Sequence, residues 1–294
     1  MADTGSWLSL KSRDLSAEID PLGAQLSTLH DSGGRDLLWN GDPAVWSGRA
    51  PVLFPVVGSL AGGRYQLGGQ SYPLGRHGFA RGKPFQVITH SGTEALLRLA
   101  ADAATLAVYP FVFELDVHFE LSGPDLALRI EVRNTGGADL PASLGFHPGF
   151  RWPLPYGQPR EAHYIEFPTE EPAPVRRLEA NGLVTPVRHP TPISGRRLRP
   201  EDDLFRDDAL IFDEIRSRRV TYGASTGPRI QVSFPDSPFL GVWTKPGASF
   251  ICIEPWQGMA DVQGFSGDLW QKTGIRRVAP GASAALNVTV TLLG

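Results

Sequence analysis

Apolar and polar residues alternate with period two along much of the chain. From Phe111 to Leu121, the apolar Phe111, Phe113, Leu115, Val117, Phe119 and Leu121 are separated by mostly polar Glu114, Asp116, His118 and Glu120. Successive side chains of a strand point to opposite faces, so this segment predicts a strand with one buried and one wet face. Ser122-Gly123-Pro124-Asp125 reads as a turn, after which Leu126, Leu128, Ile130 and Val132 alternate with Ala127, Arg129 and Glu131. Together these runs predict a long antiparallel hairpin. Ile230, Val232 and Phe234 repeat the pattern, as do Leu286, Val288, Val290 and Leu292. Gly68-Gly69, between Tyr65-Gln66-Leu67 and Gln70-Ser71-Tyr72, suits a tight hairpin turn that needs positive φ.

No amphipathic pattern exceeds two helical turns, and no strand–helix–strand alternation appears. The fold class predicted is therefore all-β, a sandwich of antiparallel sheets. The 33 Gly and 26 Pro residues support frequent turns and few long helices. The Pro- and Arg-rich stretch from Thr169 to Asp203 reads as an irregular meander over one sheet. Strand patterning continues on both sides of it, so residues 1–294 are expected to form a single domain.

Charge and cysteine content narrow the partners. A net charge of −3 argues against nucleic acid, which needs a basic face. The single cysteine, Cys252, fits a reducing compartment and reads as a small buried hydrophobe. Met1 to Lys11 has no basic segment followed by an apolar run, and no stretch approaches the about 18 apolar residues of a membrane span. The expectation is a cytoplasmic protein with no membrane partner, a monomer or weak dimer.

Common phosphate-loop, dinucleotide, His-Glu-x-x-His and Cys-x-x-Cys motifs are absent, and no His, Cys, Asp and Glu cluster has metal-ligand spacing. No metal is expected. Gly78-Phe79-Ala80-Arg81-Gly82-Lys83 is a poor phosphate loop, since Pro84 follows it. Three segments instead place titratable residues among Gly, Pro and aromatics: Arg76 to Arg81, Gly145 to Trp152, and Ile251 to Trp256. Glu254 ends the apolar run Phe250 to Ile253. Such a carboxylate is either buried in an ion pair or poised as a general base whose pKa burial has raised. His147 is held extended by Pro148. Taken alone, His147 and His77 are each as well explained as structural groups. His118 lies on the polar face of its strand.

At these segments the chain resembles the aldose 1-epimerase (galactose mutarotase) family, and within it a LacX-like branch that includes hexose-phosphate mutarotase-like members. The matching blocks run from Trp46 through Pro51 to Gly58, then His77 to Arg81, Tyr109-Pro110-Phe111, Gly145 to Pro148, Asp207 to Phe212, and Gly241 to Asp261. The resemblance implies a large antiparallel β-supersandwich and a cofactor-free reaction that interconverts the α and β anomers of a free or phosphorylated hexose. It implies Glu254 as general base and His147 as general acid. Substrate contacts would come from His77, Asp208, Arg81 and Trp243, with Asp207 a rival to Asp208. Trp152, Trp256 and Phe79 read either as further sugar platforms or as core. Many relatives carry Arg after the glycine of the Phe-Pro-x-x-Gly block, where this chain has Ser59; Arg64 or Arg81 are candidate substitutes. Arg81, Arg151, Arg64 and Lys245 are candidate cations for a phosphate. Competing readings are a non-catalytic carbohydrate-binding sandwich, or a hydrolase using Asp208 with Glu254 as two carboxylates.

Overall fold

The computed structural model describes residues 7–294. The reading of Met1 to Lys11 as lacking a leader rests partly on residues 1–6, which lie outside that range. Two sheets dominate. The larger has nine strands, in the order Arg197–Leu198, Tyr164–Glu166, Arg219–Gly223, Arg229–Ser233, Ser283–Leu293, Asp125–Asn134, Phe113–Ser122, Glu94–Ala100 and Gln86–His90. The second has six, in the order Leu210–Phe212, Phe239–Trp243, Phe250–Trp256, Gly145–Phe146 and Val52–Leu53, with Gly149–Arg151 also paired to Phe250–Trp256. Every pairing in these sheets is antiparallel.

The predicted hairpins form where the alternation places them. Phe113–Ser122 pairs with Asp125–Asn134 from Ser122 opposite Asp125 onward, and Leu115, Val117, Phe119, Leu128, Ile130 and Val132 are all buried. Gly68 and Gly69 both take positive φ, 56° and 83°, at the tip of the hairpin made by Arg64–Leu67 and Gln70–Pro73. Among the described residues the α-helix is represented by one six-residue turn, Ala103–Val108, capped by Asp102. Among the described residues no helix is long and apolar enough to cross a membrane. The stretch from Thr169 to Asp203 is irregular, as read from its composition. It touches the edge of the six-stranded sheet through the Arg176–Ile211 bridge and supplies Arg197–Leu198, the edge strand of the nine-stranded sheet.

The two sheets share one apolar core. Ile130, Val117 and Val288 from the large sheet join Leu240, Val242, Ile251 and Ile253 from the small one. Phe250–Trp256 is buried on both faces. Its period-two order persists nonetheless: Ile251 and Ile253 face this core, while Phe250 and Cys252 join a separate cluster with Trp39 and Trp46. Glu254 and Trp256 stand on that second face by the same alternation. The core of the sandwich thus lies on one side of the small sheet and the polar site on the other.

The loop entering this second face depends on a close backbone approach. Gly78 has φ of 72°, and a Cβ there would lie 2.2 Å from the Phe54 carbonyl oxygen. An alanine meets both the left-handed penalty and a clash with a strand backbone. Gly78→Ala should cost about 3 kcal/mol of stability, read as a lower urea midpoint at unchanged slope. A midpoint equal to wild type would contradict this account of the loop.

Candidate active site

The outer face of the small sheet carries a pocket of about 220 Å³ lined by Trp46, Arg76, His77, Arg81, His147, Asp208, Ala209, Trp243, Glu254 and Trp256. A larger open trough of about 690 Å³, around Arg218, Asp236 and Arg276, contains none of these groups.

Glu254 is fixed by strand pairing on both flanks. It sits opposite Gly241, and the neighbouring Cys252 sits opposite Gly149. His147 lies between two short strands that both pair with Phe250–Trp256, and its amide donates to the Pro51 carbonyl at 3.1 Å. Its ring stacks on Trp46, centroids 5.1 Å apart, and meets Trp243 edge-on at 5.8 Å. This framework brings His147 Nε2 to 3.1 Å from Glu254 Oε2, with both side chains buried. The contact lacks hydrogen-bond alignment. Glu254 Oε2 is left without a hydrogen-bond partner in the protein, and so, separately, is His147 Nδ1. A buried polar atom without a partner costs about 1–3 kcal/mol, and such atoms persist chiefly where a ligand or reaction needs them.

Burial drives the two groups apart in acidity. It pushes the Glu254 carboxyl well above its ordinary value, an effect that the nearby Arg76 charge opposes. It pushes the His147 imidazole down to about 3, helped by the Arg76 charge. The sequence reading anticipated the upward shift of a buried Glu254; the dry floor of the pocket moves His147 the other way.

His77 is placed by the Gly58 backbone. The His77 amide donates to Gly58 O at 2.9 Å, and the Gly58 amide donates to His77 Nδ1 at 3.1 Å. A neutral imidazole has one accepting nitrogen; with the Gly58 amide on Nδ1, the shorter of its two contacts, the hydrogen is assigned to Nε2. Arg76 Nε lies 3.2 Å from that Nε2. Two N–H groups face each other there, which gives no attraction. Arg76 is held instead by Asp208, at 3.2 Å between Nη1 and Oδ2. In that tautomer His77 Nε2–H has no acceptor at Arg76. His77 and Asp208 both take left-handed φ, 67° and 62°. Histidine and aspartate tolerate that region better than most residues, and strain of this kind gathers at sites.

Six residues singled out in the sequence therefore share one pocket: Glu254, His147, His77, Asp208, Arg81 and Trp243. Of the rival acids, Asp208 faces the pocket and Asp207 lies near Arg177. The expected substitutes for the missing family arginine need correction. Arg64 bonds Ser71 and lines a different hollow. Arg81 reaches the pocket, but Arg76 also does, and it neighbours Ser59: a Cβ on Gly182 would lie 2.6 Å from Ser59 Oγ and 3.7 Å from Arg76 Nη1. Arg151 and Lys245 lie outside the pocket, Lys245 donating to the Val45 carbonyl at 3.2 Å. Trp152 belongs to the core, under the Arg160 guanidinium, and the half-buried Phe79 packs against that core; Trp256 does line the pocket. The sequence reading missed Arg76 and Trp46 as site residues. Their signal was position, since Arg76 precedes His77 and Trp46 opens the first matching block.

The family model described as Aldose 1-epimerase matches residues 7–276. The chain belongs to the aldose 1-epimerase family. The plasmid and chromosomal forms of protein LacX from Lactococcus lactis subsp. lactis are each 29% identical to it over 296 residues, covering 97% of this chain and 99% of the relative. Among solved structures, a galactose mutarotase related enzyme from Lactobacillus acidophilus aligns with a TM-score of 0.91 at 30% identity, covering 98% of this chain and 97% of that one. A galactose mutarotase-like protein from Lactobacillus casei aligns with a TM-score of 0.88 at 28% identity, covering 98% and 100%. The fold of this aldose 1-epimerase family member is the galactose mutarotase-like β-supersandwich.

Burial of the two site histidines sets a pH dependence of folding. Both fall below their ordinary value of 6.5, His147 to about 3. Between those values the unfolded chain binds protons that the folded protein refuses, so their contribution is present above pH 6.5 and is lost as pH falls. Glu254 has the opposite sign: its folded carboxyl keeps a proton that the unfolded one releases above 4.5. Between about pH 7.5 and about pH 5, His147→Gln should lose roughly 2 kcal/mol less stability than wild type. Urea titrations at the two pH values check this; equal losses would show that His147 is not buried neutral.

Proposed function

We propose that this chain is a mutarotase that interconverts the α and β anomers of a hexose, free or phosphorylated, with Glu254 as the base and His147 as the acid of one pair. The observation that carries the reading is the 3.1 Å approach of His147 Nε2 to Glu254 Oε2 at the floor of a sugar-sized pocket. Ring opening needs a base at the anomeric hydroxyl and an acid at the ring oxygen. As the base takes the O1 proton, the C1–O1 double bond forms and the C1–O5 electron pair moves to O5, which takes a proton from the acid. Rotation about C1–C2 and reclosure return the other anomer. One proton held by the pair suffices for both directions. Burial stores it on Glu254 in the empty pocket; Arg76 favours the carboxylate form that serves as base. His77 Nε2–H and the free lone pairs of Asp208 hold sugar oxygens, and Trp46 and Trp243 flank the C–H faces.

The shared proton implies a broad pH plateau. The rate should fall only where His147 also takes a proton, near 3, or where the raised Glu254 carboxyl finally ionises. Glu254→Gln should slow anomer exchange by about 10²–10⁴-fold while sugar binding and the thermal midpoint persist. Polarimetry on fresh α-glucose, together with the pH profile, checks both. A folded Glu254→Gln with the wild-type rate would show that anomer exchange does not use this pair.

Arg76 and Arg81 at the mouth support a phosphorylated substrate. A phosphate monoester carries about −1.5 to −2 charge, and only Asp208 offsets the two guanidinium groups among the charged residues lining the pocket with them, Glu254 being held towards neutrality by burial. The expected result is a higher kcat/KM for glucose 6-phosphate than for glucose, with that preference lost in Arg81→Ala while the rate on glucose is kept. Equal wild-type values on the two sugars would leave a plain aldose mutarotase.

A further inference from the structure

The acid–base pair has a third neighbour that the reaction does not use. Cys252 and Glu254 are two residues apart on Phe250–Trp256 and project from the same face. His147 reaches them from the adjoining strands. One ligand atom from each, an imidazole nitrogen, the Cys252 sulfur and a carboxylate oxygen, all lie within 4.8 Å of one another, and all three residues are buried. The donors of a tetrahedral zinc ion, at roughly 2.0–2.3 Å from the metal, stand roughly 3.5 Å apart, so closure asks for shifts of about an ångström. The spacing is invisible in the sequence because His147 and Cys252 are far apart along the chain.

We propose that His147, Cys252 and Glu254 form an inhibitory site for a borderline-soft divalent cation of the zinc type. Two observations beyond the cysteine point to a ligand. Glu254 Oε2 and His147 Nδ1 are buried without hydrogen-bond partners. The adjoining pocket leaves room for a fourth ligand, water or a sugar hydroxyl. The set of one sulfur, one nitrogen and one oxygen matches zinc or cobalt. Magnesium and calcium, which need several oxygens, find one carboxylate. Trp46, Trp243 and Phe250 wall the cluster with apolar surface. Arg76 and Arg81 are the opposing charges, and Asp208 partly cancels the first of them.

The chemistry of binding balances simply. The Cys252 thiol gives up its proton to solvent, Glu254 gives up the proton that burial holds on it, and His147 offers a neutral lone pair. Binding therefore releases up to two protons and strengthens as pH rises. The metal occupies both catalytic groups at once, so anomer exchange stops. This inhibitory effect rests on the acid–base reading above, whereas the binding does not.

Cobalt(II) titration of the full chain, with a phosphine reductant, reads binding directly. A thiolate-to-cobalt charge-transfer band should appear in the near ultraviolet, zinc should abolish it, and Cys252→Ala should lack it. In parallel, zinc should inhibit anomer exchange, magnesium should not, and a chelator should restore the rate fully, leaving the untreated protein's rate unchanged. Cys252→Ala should keep basal exchange and need at least about 10–100-fold more zinc for the same inhibition, the scale on which even indirect partners of a metal act. Absence of the cobalt band, or equal zinc sensitivity in Cys252→Ala and wild type, would overturn the proposal. A cobalt band in a metal-free protein that shows no exchange would uphold the site and contradict the mutarotase reading.

Discussion

The close approach of two buried titratable groups, His147 and Glu254, governs the design of this molecule. Neither group could sit in a dry floor at 3.1 Å without a rigid frame. The frame is strand pairing. Phe250–Trp256 is hydrogen-bonded on one side to Phe239–Trp243 and on the other to the short strands that bracket His147. Its inner face anchors in the sandwich core through Ile251 and Ile253, while its outer face presents Cys252, Glu254 and Trp256. Stability and chemistry are thus separated by the pleat of a single strand.

The rest of the pocket follows from loops that the sheet edges hold in strained conformations. Gly58 fixes the tautomer of His77 through its amide, and Gly78 lets that loop press against the Phe54 carbonyl. Asp208 takes a left-handed φ and holds Arg76. Arg76 lines the pocket and Ser59 does not, so a cation reaches the pocket from a different loop. That guanidinium is anchored by one carboxylate, and its charge favours the ionised form of Glu254.

Much of the fold was legible because the long strands of the large sheet are wet on one face. Phe113–Ser122 and Ser283–Leu293 announce themselves by alternation, and the Gly68-Gly69 turn by its need for positive φ. Phe250–Trp256 shows no alternation, since both faces are buried; only the isolated carboxylate betrayed it. The site residues were found through motif resemblance and isolated polarity. Arg76 escaped because an arginine beside a histidine reads as an ordinary surface charge, and Trp46 because aromatic residues serve cores equally well. Trp152 shows the converse, reading as a sugar platform yet buried under Arg160. The cluster of His147, Cys252 and Glu254 lay beyond any spacing rule, because sheet topology alone assembles it.

If Glu254 and His147 act as one acid–base unit, their contributions to the rate cannot be independent. The most direct measurement is a double-mutant cycle by saturation-exchange NMR on one hexose, comparing wild type, Glu254→Gln, His147→Gln and the double variant. The account predicts that the double variant is no slower than the worse single variant by more than about threefold, as for groups that act together in one step. A double variant slowed by the full product of the two single effects, or a single variant at the wild-type rate, would contradict it.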